Sequence, residues 1–151
     1  MLVREIMSKK VTCISPECTT SQILKIFRKY KISGAPVVGK SGKLLGIVSE
    51  KDVLFKLFLS EEEFYNNVDY YFSKTIREED LDVIRNLKAK NIMSRDVVSI
   101  GPDEHVLTAC SKLLMHHVRR LPVVENKKLV GMVTTNDVFL NYLQYILGEK
   151  G

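Results

Sequence analysis

Apolar and polar positions run through this chain in two periods, and the order of those periods occurs twice. A β-rich run, Val11 to Ile14, stops ahead of Pro16, which opens a helix rather than continuing a strand. Ile23, Ile26, Phe27 and Tyr30 then fall at i, i+3, i+4 and i+7, one apolar helical face. Ala35 to Val38 reads as a buried strand, Lys40-Ser41-Gly42-Lys43 as a tight polar turn, and Leu44 to Ser49 as a second strand. A closing helix is expected over about Glu50 to Leu59. The second half predicts the same order. It has a run from Val97 to Ile100, Pro102, and a helix with Val106, Ala109, Cys110, Leu113 and Leu114 inward. Strands Leu121 to Val124 and Leu129 to Thr134 follow, then a helix over about Thr135 to Leu147.

The residues themselves recur. Ile6-Met7-Ser8 returns as Ile92-Met93-Ser94, Pro16 as Pro102 and Pro36-Val37-Val38 as Pro122-Val123-Val124, each at an offset of 86 (92 − 6). Gly46-Ile47-Val48-Ser49 returns as Gly131-Met132-Val133-Thr134, and Asp52-Val53 as Asp137-Val138, at 85 (131 − 46). The lost residue falls in the turn, where Lys40-Ser41-Gly42-Lys43 becomes Glu125-Asn126-Lys127. The fold class is therefore α/β (α+β): two β-α-β-β-α units, at 1–59 and 89–151. One unit alone buries little apolar surface, so the two are expected to pack in pseudo-two-fold symmetry. The connector, 60–88, clusters Phe64, Tyr65, Tyr70, Tyr71 and Phe72 and reads as helical and packed, not as a flexible linker.

Composition narrows the function classes. Of 151 residues 45% are hydrophobic, enough for a core, and no apolar run approaches the roughly 18 to 20 residues that span a bilayer. The start lacks a secretory pattern, so a cytoplasmic protein is expected. Three cysteines without CxxC spacing, Cys13, Cys18 and Cys110, read as small buried hydrophobes rather than as a disulfide framework or zinc site. His105, His116 and His117 show no ligand-like pairing with them. The net charge of +5 is spread over 23 basic and 18 acidic residues, with no basic arm or aromatic-basic platform for nucleic acid. There is no P-loop, G-x-G-x-x-G, metal cluster or nucleophile–base spacing, so the chain is not read as an enzyme and no cofactor is expected.

The repeated polar motif is [ST]-x-x-D at a strand-to-helix junction: Ser49-Glu50-Lys51-Asp52 and Thr134-Thr135-Asn136-Asp137. Locally it is a capping box. The same geometry suits a ribose-phosphate, because a carboxylate accepts from two vicinal hydroxyls, while a helix start and a hydroxyl donate to phosphate. Both readings stand at this level.

Ile-Met-Ser, then Pro, then h-P-V-V, then G-h-V-[ST]-x-x-D-V, twice over, resembles a tandem pair of cystathionine-β-synthase (CBS) domains, a Bateman module, of the stand-alone prokaryotic type. The resemblance covers about Leu2 to Leu59 and Ala89 to Leu147. It implies two clefts that bind adenosine-containing ligands: AMP, ADP, ATP or S-adenosylmethionine. It places Asp52 and Asp137 on the ribose diol and Ser49 and Thr134 on phosphate. It brings Ser33, Gly34, Ala35 and Pro36, and Arg119, Arg120, Leu121 and Pro122, to the base or phosphate pocket, and sets Val11-Thr12 and Val97-Val98 beside the adenine. A basic residue two before the proline, present as Arg120 and absent as Gly34, grips phosphate in similar proteins, with Arg119, His116 or His117 close by. The implied function is a ligand sensor that signals to a protein partner in trans, commonly a homodimer formed through the closing helices. The alternatives are a structural interaction module with empty clefts, and one specific for S-adenosylmethionine.

Overall fold

Thr19 starts the first long helix because its hydroxyl accepts from Gln22 N–H (3.3 Å) while Gln22 accepts from Thr19 N–H (2.9 Å), a reciprocal cap. This structure, a computed structural model, describes residues 1–57 and 78–148. Their elements are α1 (Val3–Ile6), α2 (Thr20–Tyr30), β1 (Gly34–Val38), β2 (Leu44–Ser49), α3 (Glu50–Leu57), α4 (Glu78–Asn86), α5 (Ala89–Ile92), α6 (Val106–Met115), β3 (Arg120–Glu125), β4 (Lys128–Thr134) and α7 (Thr135–Asp137). A π-helical turn (Val138–Tyr142) then leads into α8 (Leu143–Leu147).

β1 pairs with β2, and β3 pairs antiparallel with β4. Asn126 and Lys127 both have positive φ (50° and 65°), which is the two-residue hairpin turn that matches strand twist. The longer turn of the first repeat instead places Gly42 at φ 81°. The extended runs expected at Val11–Ile14 and Val97–Ile100 shrink to single bridging residues, Ile14 beside Val37 and Ile100 beside Val123.

The chain divides into two compact units, each taking its leading segment from the other repeat. The N-terminal unit comprises Thr12–Gly39 and Leu45–Arg95, and the C-terminal unit Met1–Val11, Lys40–Leu44 and Asp96–Gly151. In the C-terminal unit, Val3 N–H donates to Glu104 O (2.9 Å), Arg4 N–H to Pro102 O (2.9 Å), and Ser8 exchanges two backbone bonds with Met132 (2.9 and 3.0 Å). The N-terminal unit repeats this with Ala89 to Cys18 (2.7 Å), Lys90 to Pro16 (3.0 Å), and Ser94 with Ile47 (2.8 and 2.9 Å). The ion pairs correspond as well. Arg4 meets Asp103, and Glu17 is held between Lys88 (2.5 Å) and Lys90 (2.6 Å), which lowers its carboxyl to about 2.

Apolar insertion dominates this docking. Val3 and Ile6 enter a core with Ile100, Val106, Leu113, Leu121, Val123 and Val133, while Ala89, Ile92 and Met93 join Ile14, Ile23, Phe27, Val37 and Val48. A buried aliphatic side chain contributes about 1.5–3 kcal/mol, against about 1 kcal/mol net for a backbone hydrogen bond. The repeated Ile-Met-Ser thus has a packing role: isoleucine in the core, methionine under a strand glycine, serine bridging the strand.

Several expectations need correction. Tyr30 (51% exposed) and Leu114 (67%) lie outside the helical faces assigned to them, because Ile23 with Phe27, and Val106 with Ala109 and Leu113, already fill the inward stripes. Cys13 is exposed, since its neighbour Ile14 takes the inward position; Cys18 and Cys110 are half-buried. The connector aromatics Phe64 to Phe72 and the end of the first closing helix, 58–59, lie outside the described residues. The described part of the connector includes the helix α4.

Candidate functional site

Each unit carries the same polar frame where a strand hands over to its closing helix. In the N-terminal unit, Ser49 N–H (2.7 Å) and Ser49 Oγ (2.6 Å) both donate to Oδ2 of Asp52, and Asp52 N–H returns to Ser49 Oγ (3.2 Å). In the C-terminal unit, Thr134 and Asp137 make the same three bonds at 2.7, 2.6 and 3.2 Å. The capping box is therefore formed in both. Its hydroxyl proton goes to its own aspartate, so Ser49 and Thr134 act on the carboxylate and position it. Both donors end on one oxygen, and a carboxylate has accepting capacity on two, so capping and acceptance of a diol are compatible.

The preceding strand locks onto the frame through backbone alone. Glu50 N–H donates to Ser33 O (3.0 Å), and Thr135 N–H to Arg119 O (3.1 Å). Across the β3–β4 ladder Arg120 stands opposite Thr134, which brings Arg119, Arg120, Thr134 and Asp137 to one end of the hairpin. Leu121 and Pro122, like Ala35 and Pro36, are fully buried, and Gly34 is buried too. The Pro36 and Pro122 carbonyls accept from Ile14 N–H (2.9 Å) and Ile100 N–H (3.1 Å). These residues are packed inward and present little side chain outward. Thr12 and Val98, half-buried, precede those bridging isoleucines by two residues. His116 caps the end of α6 and His117 takes a left-handed φ of 53°; both are exposed.

The motif pattern did not point to a second feature. An open cavity of about 480 Å³ in the N-terminal unit lies at the end of α2, beside Ser33 and Glu50. Phe27, Arg28, Lys31, Ile32, Ser33 and Glu50 line it. The sequence signal was available: Arg28 and Lys31 lie three apart, on one face of the helix end, and Glu50 follows the motif serine. Among the described residues no cluster of His, Cys, Asp or Glu is arranged to hold a metal ion, and no helix is long and apolar enough to cross a membrane.

The family model of the CBS domain matches residues 3–59 and 89–143. An uncharacterized protein of Methanocaldococcus jannaschii is 30% identical over 150 residues, covering 91% of this chain and 89% of that protein. A CBS domain-containing protein of Dictyostelium discoideum is 30% identical over 139 residues, covering 91% and 88%. Inosine-5′-monophosphate dehydrogenase of Methanocaldococcus jannaschii is 28% identical over 150 residues, but the match spans 25% of that enzyme. Among solved structures, a CBS domain pair in complex with 5′-methylthioadenosine and S-adenosyl-L-methionine is similar at 26% identity and TM-score 0.68, covering 94% of this chain and 99% of that one. The structure of CBSX2 in complex with AMP is similar in fold at 24% identity and TM-score 0.72, covering 96% and 98%.

Proposed function

Because this chain belongs to the CBS-domain family and carries two CBS domains, we propose that it is a regulatory module that binds an adenosine-containing ligand and acts on a protein partner in trans. The observation that carries this reading is the twin frame: two aspartates, each accepting from a hydroxyl and one backbone N–H group, with its own N–H returned to that hydroxyl. Asp52 and Asp137 accept the ribose diol, Ser49 and Thr134 position them, and the Ser33–Pro36 and Arg119–Pro122 segments border the 5′ substituent or base. Similar structures in complex with AMP and with S-adenosyl-L-methionine support a ligand of this class. A ligand regulates only through its different affinity for two arrangements of the protein, so this role requires ligand-dependent partner affinity.

The test is a melting experiment with AMP, ATP and S-adenosylmethionine. A ligand at 100 times its dissociation constant stabilises the native state by about 2.7 kcal/mol, a rise of about 5–10 °C for a chain of this size. No rise at millimolar concentration of any of them favours the second reading, a structural interaction module with empty clefts.

The second reading shares one feature with the first. Phe139, Leu140, Leu143 and Ile146 are exposed on the C-terminal closing helix (39–60%), a face suited to a second copy of the chain. Light scattering is expected to give a homodimer at micromolar concentration; a monomer there would remove the dimer from the account.

A further inference from the structure

The net charge of the chain is concentrated in one stretch. Between Glu17 and Glu50 there are six basic residues and no acidic one, so the rest of a chain of net charge +5 carries −1 (5 − 6). Four of the six, Lys25, Arg28, Lys29 and Lys31, stand on α2 or directly after it, and all four are exposed. Among the described residues no carboxylate forms an ion pair with any of them. Lys29 lies over the Tyr30 ring (5.2 Å).

Folding does not require these cations. At the offset of 86, α6 has Ser111, Leu114 and Met115 where α2 has Lys25, Arg28 and Lys29. Lys31 and its counterpart His117 share the same left-handed φ (52° and 53°). A cation in the last turn complements the helix dipole, and α6 meets that need with Lys112 alone. We infer that the exposed face of α2 is a docking surface for an acidic protein segment that carries an apolar or aromatic anchor residue. It supplies a place for the partner of the regulatory reading above, and to that extent rests on it.

The groove at the end of α2 adds an apolar component to the basic one. Leu24 (57% exposed), Phe27 and Ile32 form an apolar wall in the cavity of about 480 Å³, and Arg28 and Lys31 border it. An anchor side chain buries apolar area there while carboxylates of the same segment meet the cations. Arginine takes a carboxylate through paired hydrogen bonds, and lysine attracts it as a point charge. A nucleic acid fits less well. It has a charge at every phosphate and no aliphatic side chain, so it would meet Glu50 in the same groove and leave the apolar wall uncovered.

Fluorescence anisotropy on the full chain tests this, with a labelled random copolymer of glutamate and tyrosine as the probe and labelled polyglutamate and a DNA duplex in separate titrations. The copolymer is expected to bind about tenfold or more tightly than polyglutamate, and more weakly as salt rises. Arg28→Glu combined with Lys31→Glu is expected to weaken the copolymer about tenfold or more. Lys9→Glu combined with Lys10→Glu removes the same net charge from another exposed pair and is expected to stay within about twofold. All four side chains are exposed, so both double variants are expected to fold, which a melt checks. Equal losses from the two double variants overturn the inference, because net charge alone would then explain binding. Polyglutamate or DNA bound as tightly as the copolymer overturns it too, as does no binding of the copolymer at low salt. The AMP-induced rise in melting temperature is expected to persist in the Arg28→Glu, Lys31→Glu variant. A parent chain that binds the copolymer but shows no such rise strikes the ligand reading and leaves this surface standing, so the two failures are told apart.

Discussion

Replacing Asp52 and Asp137 together by asparagine is expected to lower affinity for adenosine-containing ligands by about 100-fold or more while the chain stays folded. A hydrogen bond to a charged group is worth about 1.5–3 kcal/mol, and a diol makes two with a carboxylate. The folded frame decides what asparagine can replace. Both frame donors end on the single oxygen Oδ2, so an asparagine carbonyl can occupy that place and keep the cap. Its amide NH2 then stands where the second carboxylate oxygen was, presenting donors to a diol that needs acceptors. The stability cost is accordingly small, about 1 kcal/mol per cap at most. Calorimetry combined with a melt separates the two effects. A double variant that binds as well as the parent would remove the aspartates from the site, and one that fails to fold would show them to be chiefly caps.

Gly46→Ala is expected to destabilise the protein by about 2–3 kcal/mol, lowering the melting temperature by about 5–10 °C. A Cβ there would lie 2.7 Å from the Ser94 carbonyl oxygen and 2.7 Å from Met93 Sδ. The methionine can swing aside, but the carbonyl cannot. Ser94 and Ile47 fix each other through bonds of 2.8 and 2.9 Å, so the added methyl pushes the crossed segment off β2. Gly131→Ala is the internal control. Its Cβ meets the movable Met7 Sδ at 2.6 Å, while the Ser8 carbonyl is 3.1 Å away. It is expected to cost about 1 kcal/mol. Equal melting temperatures for the two variants, or the reverse order, would contradict this account of the strand glycines.

The sequence made the element order legible because the duplication repeats both period and punctuation. The hairpins, helices α2 and α6, and both [ST]-x-x-D junctions follow from it, and the one-residue loss correctly marks the turn. Packing partners of the leading segments were not legible. Ile6 and Ile92 announce burial but not which repeat they enter, since periodicity carries no address. Val11–Ile14 looked like a strand because β-branched residues favour that conformation wherever one face is buried, and the structure has a single bridge there, between Ile14 and Val37. Tyr30 and Leu114 satisfied the helical stripe yet stay exposed, because two or three neighbours suffice to cover the sheet. The Asp frame was readable as a cap and as a diol acceptor at once. Only the geometry assigns the hydroxyl proton to the aspartate. The cavity on the α2 side needed the fold, because Arg28, Lys31 and Glu50 converge across about 20 positions of chain that hold the whole hairpin.

A crystal structure of the chain grown with AMP and S-adenosylmethionine tests the central claim most directly. The account predicts ligand with both ribose hydroxyls within about 2.6–3.2 Å of the carboxylate of Asp137 or Asp52. An ordered adenosine ligand whose ribose sits away from both aspartates, or frames left empty at millimolar ligand, would contradict it.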